Sequence, residues 1–165
     1  MSEEYDFAEF RQLAQAVGYT TILWSDMERQ LDNWVIISYK RCGGNKIQDE
    51  IPRAFMKKCG YLKKAFLGLP KLAAFRDESQ KILERAKALS GVRHTLTHAT
   101  LESMLPENGV FTYRHLIHGR QTYSVEMKTF DLKDWPPIFL ELQALSHESA
   151  MLAKRLLETF PPPKR

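Results

Sequence analysis

Residues 82–104 read ILERAKALSGVRHTLTHATLESM, and how this stretch is read decides the fold. Ile82, Ala86, Leu89, Leu96 and Met104 recur near helical spacing, so residues 83–104 are expected to form one long helix. An amphipathic helix of that length buries its apolar stripe against other helices, which points to a bundle. At its centre lies Arg93-His94-Thr95-Leu96-Thr97-His98. That run puts a permanent cation and two imidazoles within about two turns. Arginine grips phosphate through a planar fork and keeps its charge at physiological pH. Histidine carries a proton to or from a reacting oxygen near neutrality. Phosphodiester cleavage needs both groups.

On the N-terminal side, residues 3–17 are expected as a helix with Phe7, Phe10, Leu13, Ala14 and Val17 on one face, and Gly18 as a break or kink. A second helix follows over 20–41, with a stripe of Trp24, Met27, Leu31, Trp34, Val35 and Ser38. The two tryptophans read as core residues. Cys42-Gly43-Gly44-Asn45 stops that helix. Residues 51–76 contain no acid. They carry Arg53, Lys57, Lys58, Lys63, Lys64, Lys71 and Arg76, interleaved with Phe55, Tyr61, Phe66 and Phe75. Bases beside aromatics suit nucleic acid through phosphate neutralisation and stacking, which makes Lys57, Lys58, Lys63 and Lys64 candidate RNA contacts. The competing reading is a solvated basic face with its aromatics turned inward.

On the C-terminal side, Pro106-Glu107-Asn108-Gly109 is expected to end the central helix. The period then changes. Residues 110–116 and 121–128 alternate around His118-Gly119, which predicts a β-hairpin over about 109–128. Phe111, Tyr113, His115 and Ile117 share one face of it; His115 and His118 read as structural or exposed residues. Asp131 or Asp134 is expected to cap a last helix with Pro136-Pro137 in its first turn. That helix runs to about Phe160 with Leu140, Ala144, Leu145, Met151, Leu152 and Leu156 inward, and a frayed tail occupies 161–165. The expected fold is mainly all-α. It is a single domain over 1–165, a bundle of four to five helices with one inserted β-hairpin.

The composition is that of a globular chain: 165 residues, 44% hydrophobic and 27% charged, with a net charge of +4 that permits an anionic partner. Cys42 and Cys59 make neither a metal spacing nor a disulfide framework. No run is apolar for the roughly 18 residues of a membrane span. The opening MSEEYDFAEF lacks the basic region of a secretion signal. A soluble, cytoplasmic protein is expected.

Three readings of the central run compete. In the first, Arg93 and His98 are catalytic. Arg93, a polar residue at His94, three further residues and then His98 resemble the motif of the HEPN superfamily, helical bundles of prokaryotic toxins, defence systems and some eukaryotic ribonucleases. The resemblance implies a metal-independent endoribonuclease without cofactor, acting on RNA in a toxin or defence setting. Arg93 would hold the phosphate, His98 would serve as base or acid, and His94 would orient the site. It also implies a homodimer through the helix at 83–104. Physics gives a reason: five residues advance a helix by about 500°, which splays Arg93 and His98 by about 140°. Two facing copies would gather them. Thr100 stands where many toxin members carry tyrosine, and there is no nucleotidyltransferase pattern, so an antitoxin would be a separate chain. Many superfamily members are non-catalytic, which makes a dimerisation or RNA-binding module the runner-up.

In the second reading His94, His98 and Glu102, at i, i+4 and i+8 of one helix, form a metal face suited to zinc or iron. His147-Glu148 is the nearest further supply of ligands. In the third reading the run is structural, with Arg93 paired to Glu84, Glu102 or a helix end and the histidines hydrogen-bonded.

Overall fold

In the computed structural model, which describes residues 7–105, 108–119 and 122–163, the two helices expected before Cys42 form one, α1 (Phe7–Arg41). Gly18 lies inside it. A glycine in a helix interior costs only about 0.5–1 kcal/mol relative to alanine, too little to break a helix anchored on both sides. Leu13, Ala16 and Thr20 are buried around it, and the Thr20 hydroxyl donates back to the Ala16 carbonyl at 2.7 Å. The buried face differs from the expected one: Phe10 and Ala14 are exposed. The expected helix start at 3–6, together with Pro106, Glu107, Gln121, Lys164 and Arg165, lies outside the described residues.

The rest of the chain forms α2 (Phe55–Gly68), a 3-10 segment (Pro70–Phe75), α3 (Arg76–His98), β1 (Thr100–Leu105), β2 (Val110–His118), β3 (Tyr123–Asp131) and α4 (Trp135–Thr159). The fold is mainly α with an inserted antiparallel sheet. No described helix is long and apolar enough to cross a membrane. The chain divides into two compact units, one of residues 1–22 and 89–141 and one of residues 23–88 and 142–165. Helices α1, α3 and α4 contribute to both.

The second unit is helical. Trp34, Met27, Leu31 and Ile37 of α1 are buried, as are Tyr61, Leu62 and Phe66 of α2, Ile82 and Leu83 of α3, and Leu142, Leu145 and Leu152 of α4. Leu140 and Met151, expected inward, are exposed; the buried stripe of α4 runs instead through Leu142, Leu145, Ser149, Leu152 and Leu156. Trp34 fills the middle of this unit and donates its Nε1–H to the Ser149 carbonyl at 3.1 Å, so its one polar atom is satisfied inside the core. Gly43 ends α1 in the left-handed region, with φ 92°, which a side chain rarely adopts. Gly44 follows beneath the Tyr61 hydroxyl, which itself receives the Ser38 hydroxyl at 3.3 Å.

The first unit holds the sheet, in the order β1-β2-β3. β2 and β3 pair from Val110↔Asp131 to His118↔Tyr123 without interruption, as a hairpin slightly longer than expected. β1 is the larger difference, since residues 100–105 are a strand and not the last turns of the central helix. The eight-residue step from Leu96 to Met104 fits helical spacing, but the same residues satisfy the otherwise open edge of β2. A bulge at Glu102 separates the pairs Leu101↔Tyr113 and Ser103↔Thr112. Phe111, Tyr113 and Phe130 turn from the sheet onto Leu13, Ala16 and Leu96, with Trp135 and Ile138 packed against the same cluster. The opposite face exposes Leu116, Val125 and Met127. Asp131 accepts from the Lys133 backbone N–H at 2.9 Å, and Pro136-Pro137 sits in the first turn of α4, where a missing N–H is harmless.

A Cβ at position 44 would overlap the Tyr61 hydroxyl and stand 2.8 Å from the Ser38 carbonyl oxygen. Gly44→Ala is therefore expected to lower stability by about 1–3 kcal/mol through overpacking. Gly60→Ala, whose Cβ meets nothing within 4 Å, should not; urea melts of the two variants check the contrast.

Candidate active site

The end of α3 and the inner face of β2 bring four chemistry-bearing side chains together. The Arg93 guanidinium Nη1 lies 2.9 Å from His98 Nε2. His94 Nε2 lies 2.9 Å from His115 Nε2. The His94 ring centre is 5.1 Å from that of His98 and 4.7 Å from that of His115. Three imidazoles and a guanidinium thus form one continuous cluster, with His94 and His98 exposed and Arg93 and His115 half-buried.

The hydrogen bonds set the protons. Arginine only donates, so the bond from Arg93 needs a lone pair on His98 Nε2, and His98 carries its proton on Nδ1. Between His94 and His115 one Nε2 donates and the other accepts; the two nitrogens share a single proton. His94 is held below the ordinary histidine value of about 6.5. Partial burial of its ring comes first, followed by His115, His98, Arg93 and Lys128, each of which disfavours a charge on it.

Within one chain, then, Arg93 and His98 are not splayed. The helix ends at His98, where Ala99 N–H still donates to Thr95 at 3.1 Å. The long Arg93 side chain spans the remaining angle to the terminal ring. The expected pairings of Arg93 with Glu84 or Glu102 do not occur, and among the described residues no carboxylate lies within ion-pair distance of it. Glu102 sits on β1, where the bulge places its carboxylate 3.1 Å from Arg114 Nε. The helical metal face of His94, His98 and Glu102 therefore does not exist as read, because Glu102 is not on the helix. Among the described residues no three His, Cys, Asp or Glu side chains gather as a metal site. His147 is exposed, and Glu148 pairs with Arg85 at 2.6 Å.

His115 is the site residue that the sequence reading passed over. The signal was present, since strand alternation puts it on the same face as Phe111 and Tyr113. What was missing was the pairing of that face with α3. His118, read as a turn residue, is exposed at the end of β2.

The candidate RNA-contacting lysines belong to the other unit, and they do not behave as a set. Lys57, Lys63 and Lys64 are exposed. Lys58 is buried, and its ammonium lies 2.7 Å from Asp32 and 3.0 Å from Glu28. Burial opposes its charge, but these two carboxylates outweigh it and raise its affinity for the proton. Lys58 is a structural ion-pair residue. The aromatics of this span are also committed: Tyr61 and Phe66 are core, Phe55 packs on Trp24 with ring centres 4.8 Å apart, and Phe75 packs on Phe160 at 6.4 Å. The aromatics of this span are thus turned inward or packed on other rings, while Lys57, Lys63 and Lys64 stay exposed. A large open cleft of about 910 Å³ in this unit holds Arg53 and Lys57 but also Asp49 and Glu50. Its charges balance, and no histidine or cysteine lines it. The two thiols are both buried, and burial pushes Cys59 up to about 11, far from a nucleophile's range.

No family model, curated protein or solved structure matches the chain.

Two expectations follow. His94 binds its proton less readily folded than unfolded, so its contribution to stability is present above about pH 6.5 and is lost as pH falls through the lower folded value. Melting temperature should fall between about pH 7 and 5, and less steeply in His94→Gln; equal slopes would show that this ring is not linked to folding. Lys58→Gln should destabilise by about 1–3 kcal/mol, less than the loss from a fully buried pair because Asp32 is half in water. Lys57→Gln should leave the melt unchanged.

Proposed function

We propose that the Arg93–His94–His98–His115 cluster cleaves RNA without a metal ion. The observation that carries this reading is the bond from Arg93 to His98 Nε2. It pairs a phosphate-binding cation with a nitrogen that has a lone pair and no proton. A phosphodiester arriving at Arg93 draws the guanidinium onto its oxygens, because a charged bidentate pair is stronger than a bond to a neutral imidazole. That releases His98 Nε2 as a base. The base takes the proton of the ribose 2′-hydroxyl, the 2′-oxygen attacks phosphorus, and Arg93 stabilises the charge gathered on the phosphoryl oxygens. As the charge of the phosphodiester arrives, the His94–His115 pair takes up a further proton from water. The imidazolium so formed gives a proton to the departing 5′-oxygen as the P–O5′ bond breaks, leaving the pair neutral again. The products are a 2′,3′-cyclic phosphate and a 5′-hydroxyl.

This reading agrees with the Arg-x4-His resemblance, which supports a toxin or defence setting with a separate antitoxin chain and a cytoplasmic target. A homodimer through α3 remains part of the proposal, but its role changes. A second copy would set two such clusters side by side, whereas the splay that called for it to complete one is absent. Exposed Lys57, Lys63 and Lys64 are proposed to neutralise phosphates of a bound strand; Lys58 is not among them.

One observation favours a non-catalytic RNA-binding module instead: Arg93 occupies the very nitrogen that acts as base. Cleavage of single-stranded RNA separates the two. Arg93→Ala, His98→Ala and His115→Ala should each slow cleavage by about 10²–10⁴. EDTA should have no effect, the products should end in cyclic phosphate, and melts should stay close to wild type because all four side chains reach the surface. Wild type that binds RNA without cutting it would leave the module reading in place.

A further inference from the structure

Beside the histidine cluster, α3 and the end of β3 border a cleft of about 280 Å³. Leu96 and Phe130 make an apolar floor, Gly91 and Thr95 form the α3 wall, and Lys128 and Thr129 form the rim on β3. Pockets for drug-sized ligands run from about 300 to 1,000 Å³. A cleft just below that range suits one flat ring system. Its apolar floor suits the face of such a ring, and the Lys128 ammonium, on the same face of β3 as Phe130, offers a polar contact to its edge.

Three observations join this cleft to the cluster. Gly91 and His98 lie seven residues apart on α3, which returns them to within about 20° of the same side. Lys128 lines the cleft and is also close enough to His94 to act on its charge. Gly91 is not required by packing: a Cβ there would meet nothing within 4 Å. The residue carries the intrinsic helix penalty of about 0.5–1 kcal/mol while leaving the cleft wall open.

We propose that this cleft seats one nucleobase of the bound strand, adjacent to the phosphate held at Arg93, and so sets the base preference of the site. The inference rests on the cleavage reading above for its place in catalysis, but not for binding itself. A strand held at Arg93 by its phosphate and in the cleft by its base is fixed at two points, which orders the reacting 2′-hydroxyl.

The test uses uncharged nucleosides as probes, so that phosphate binding does not contribute. Adenosine, cytidine, guanosine and uridine are titrated into the isotope-labelled full chain, and amide shifts are followed at Gly91, Thr95 and 128–130. One or two nucleosides should move these amides. Gly91→Leu, which fills the opening and raises helix propensity, should weaken that binding about tenfold or more, equivalent to about 1.4 kcal/mol. Inorganic phosphate should still perturb Arg93 as in wild type. If Gly91→Leu melts early, Lys128→Leu, which takes the ammonium from the strand-side rim, should weaken the same binding instead. Gly91→Ala should bind like wild type.

Nucleosides that move none of these amides, or bind Gly91→Leu equally well, overturn the proposal. Nucleosides bound here by a protein that cuts no RNA would uphold the base subsite and remove the cleavage reading. RNA cut by wild type and Gly91→Leu with the same base preference would remove the subsite and keep cleavage.

Discussion

The termination of α3 at His98 is the constraint on which the site depends. Had the helix continued, Arg93 and His98 would stay on opposed flanks, and Glu102 would stand below His98. Because the chain turns into β1 instead, the His98 ring is the last on the helix, free of a following turn, and Arg93 reaches it at 2.9 Å. The same turn closes the edge of β2, whose inner face then brings His115 to His94. One local event thus builds both hydrogen-bonded pairs. It is anchored from beneath by Leu96, which is buried among Phe111, Tyr113 and Phe130 and fixes the helix end against the sheet.

The legible parts of the fold were those in which one physical signal dominates. Trp24, Met27, Leu31 and Trp34 repeat at helical spacing over about three turns, and all four are buried. Gly43 and Gly44 stop α1 where a left-handed backbone and a tight contact exclude side chains. The hairpin showed itself through alternation. The errors came where two signals were of similar size. Gly18 offers a helix break worth about 1 kcal/mol against cooperative packing on both sides, and packing wins. Residues 100–105 have a helical echo in Met104 and a β-branched start at Thr100, and nothing local decides between them. The deciding term is the open edge of β2, which lies ten residues further along the chain.

The candidate site was legible in its residues and not in its geometry. Arg93, His94 and His98 stand out by type and spacing, and the structure brings all three together. Their relation was misjudged because a helical wheel treats side chains as spokes, whereas an arginine is long enough to bend across its own helix end. His115 could be placed on an inward face but not beneath α3, since that contact is non-local. Lys58 failed for the opposite reason. In a run of bases it looks like its neighbours, and only the carboxylates of Glu28 and Asp32, thirty and twenty-six positions earlier, distinguish it.

The electrostatics of the cluster explain how so many basic groups share so small a volume. Arg93 is always charged, and Lys128, which acts on His94 from the sheet side, is paired with Glu126 at 3.5 Å. Arg93 has none among the described residues. If all three imidazoles were protonated, the cluster would hold four cations with no anion between them. The hydrogen bonds avoid this: His98 spends a lone pair on Arg93, and His94 and His115 divide one proton. These contacts are incompatible with three fully protonated rings, and among the described residues no carboxylate pairs with the guanidinium. On the proposed reading, an arriving phosphodiester would supply negative charge to the cluster and draw Arg93 away from His98, so that one binding event would free the base and favour proton uptake by the histidine pair. Both effects would follow from the contacts of Arg93, since a phosphate and His98 Nε2 compete for the same guanidinium.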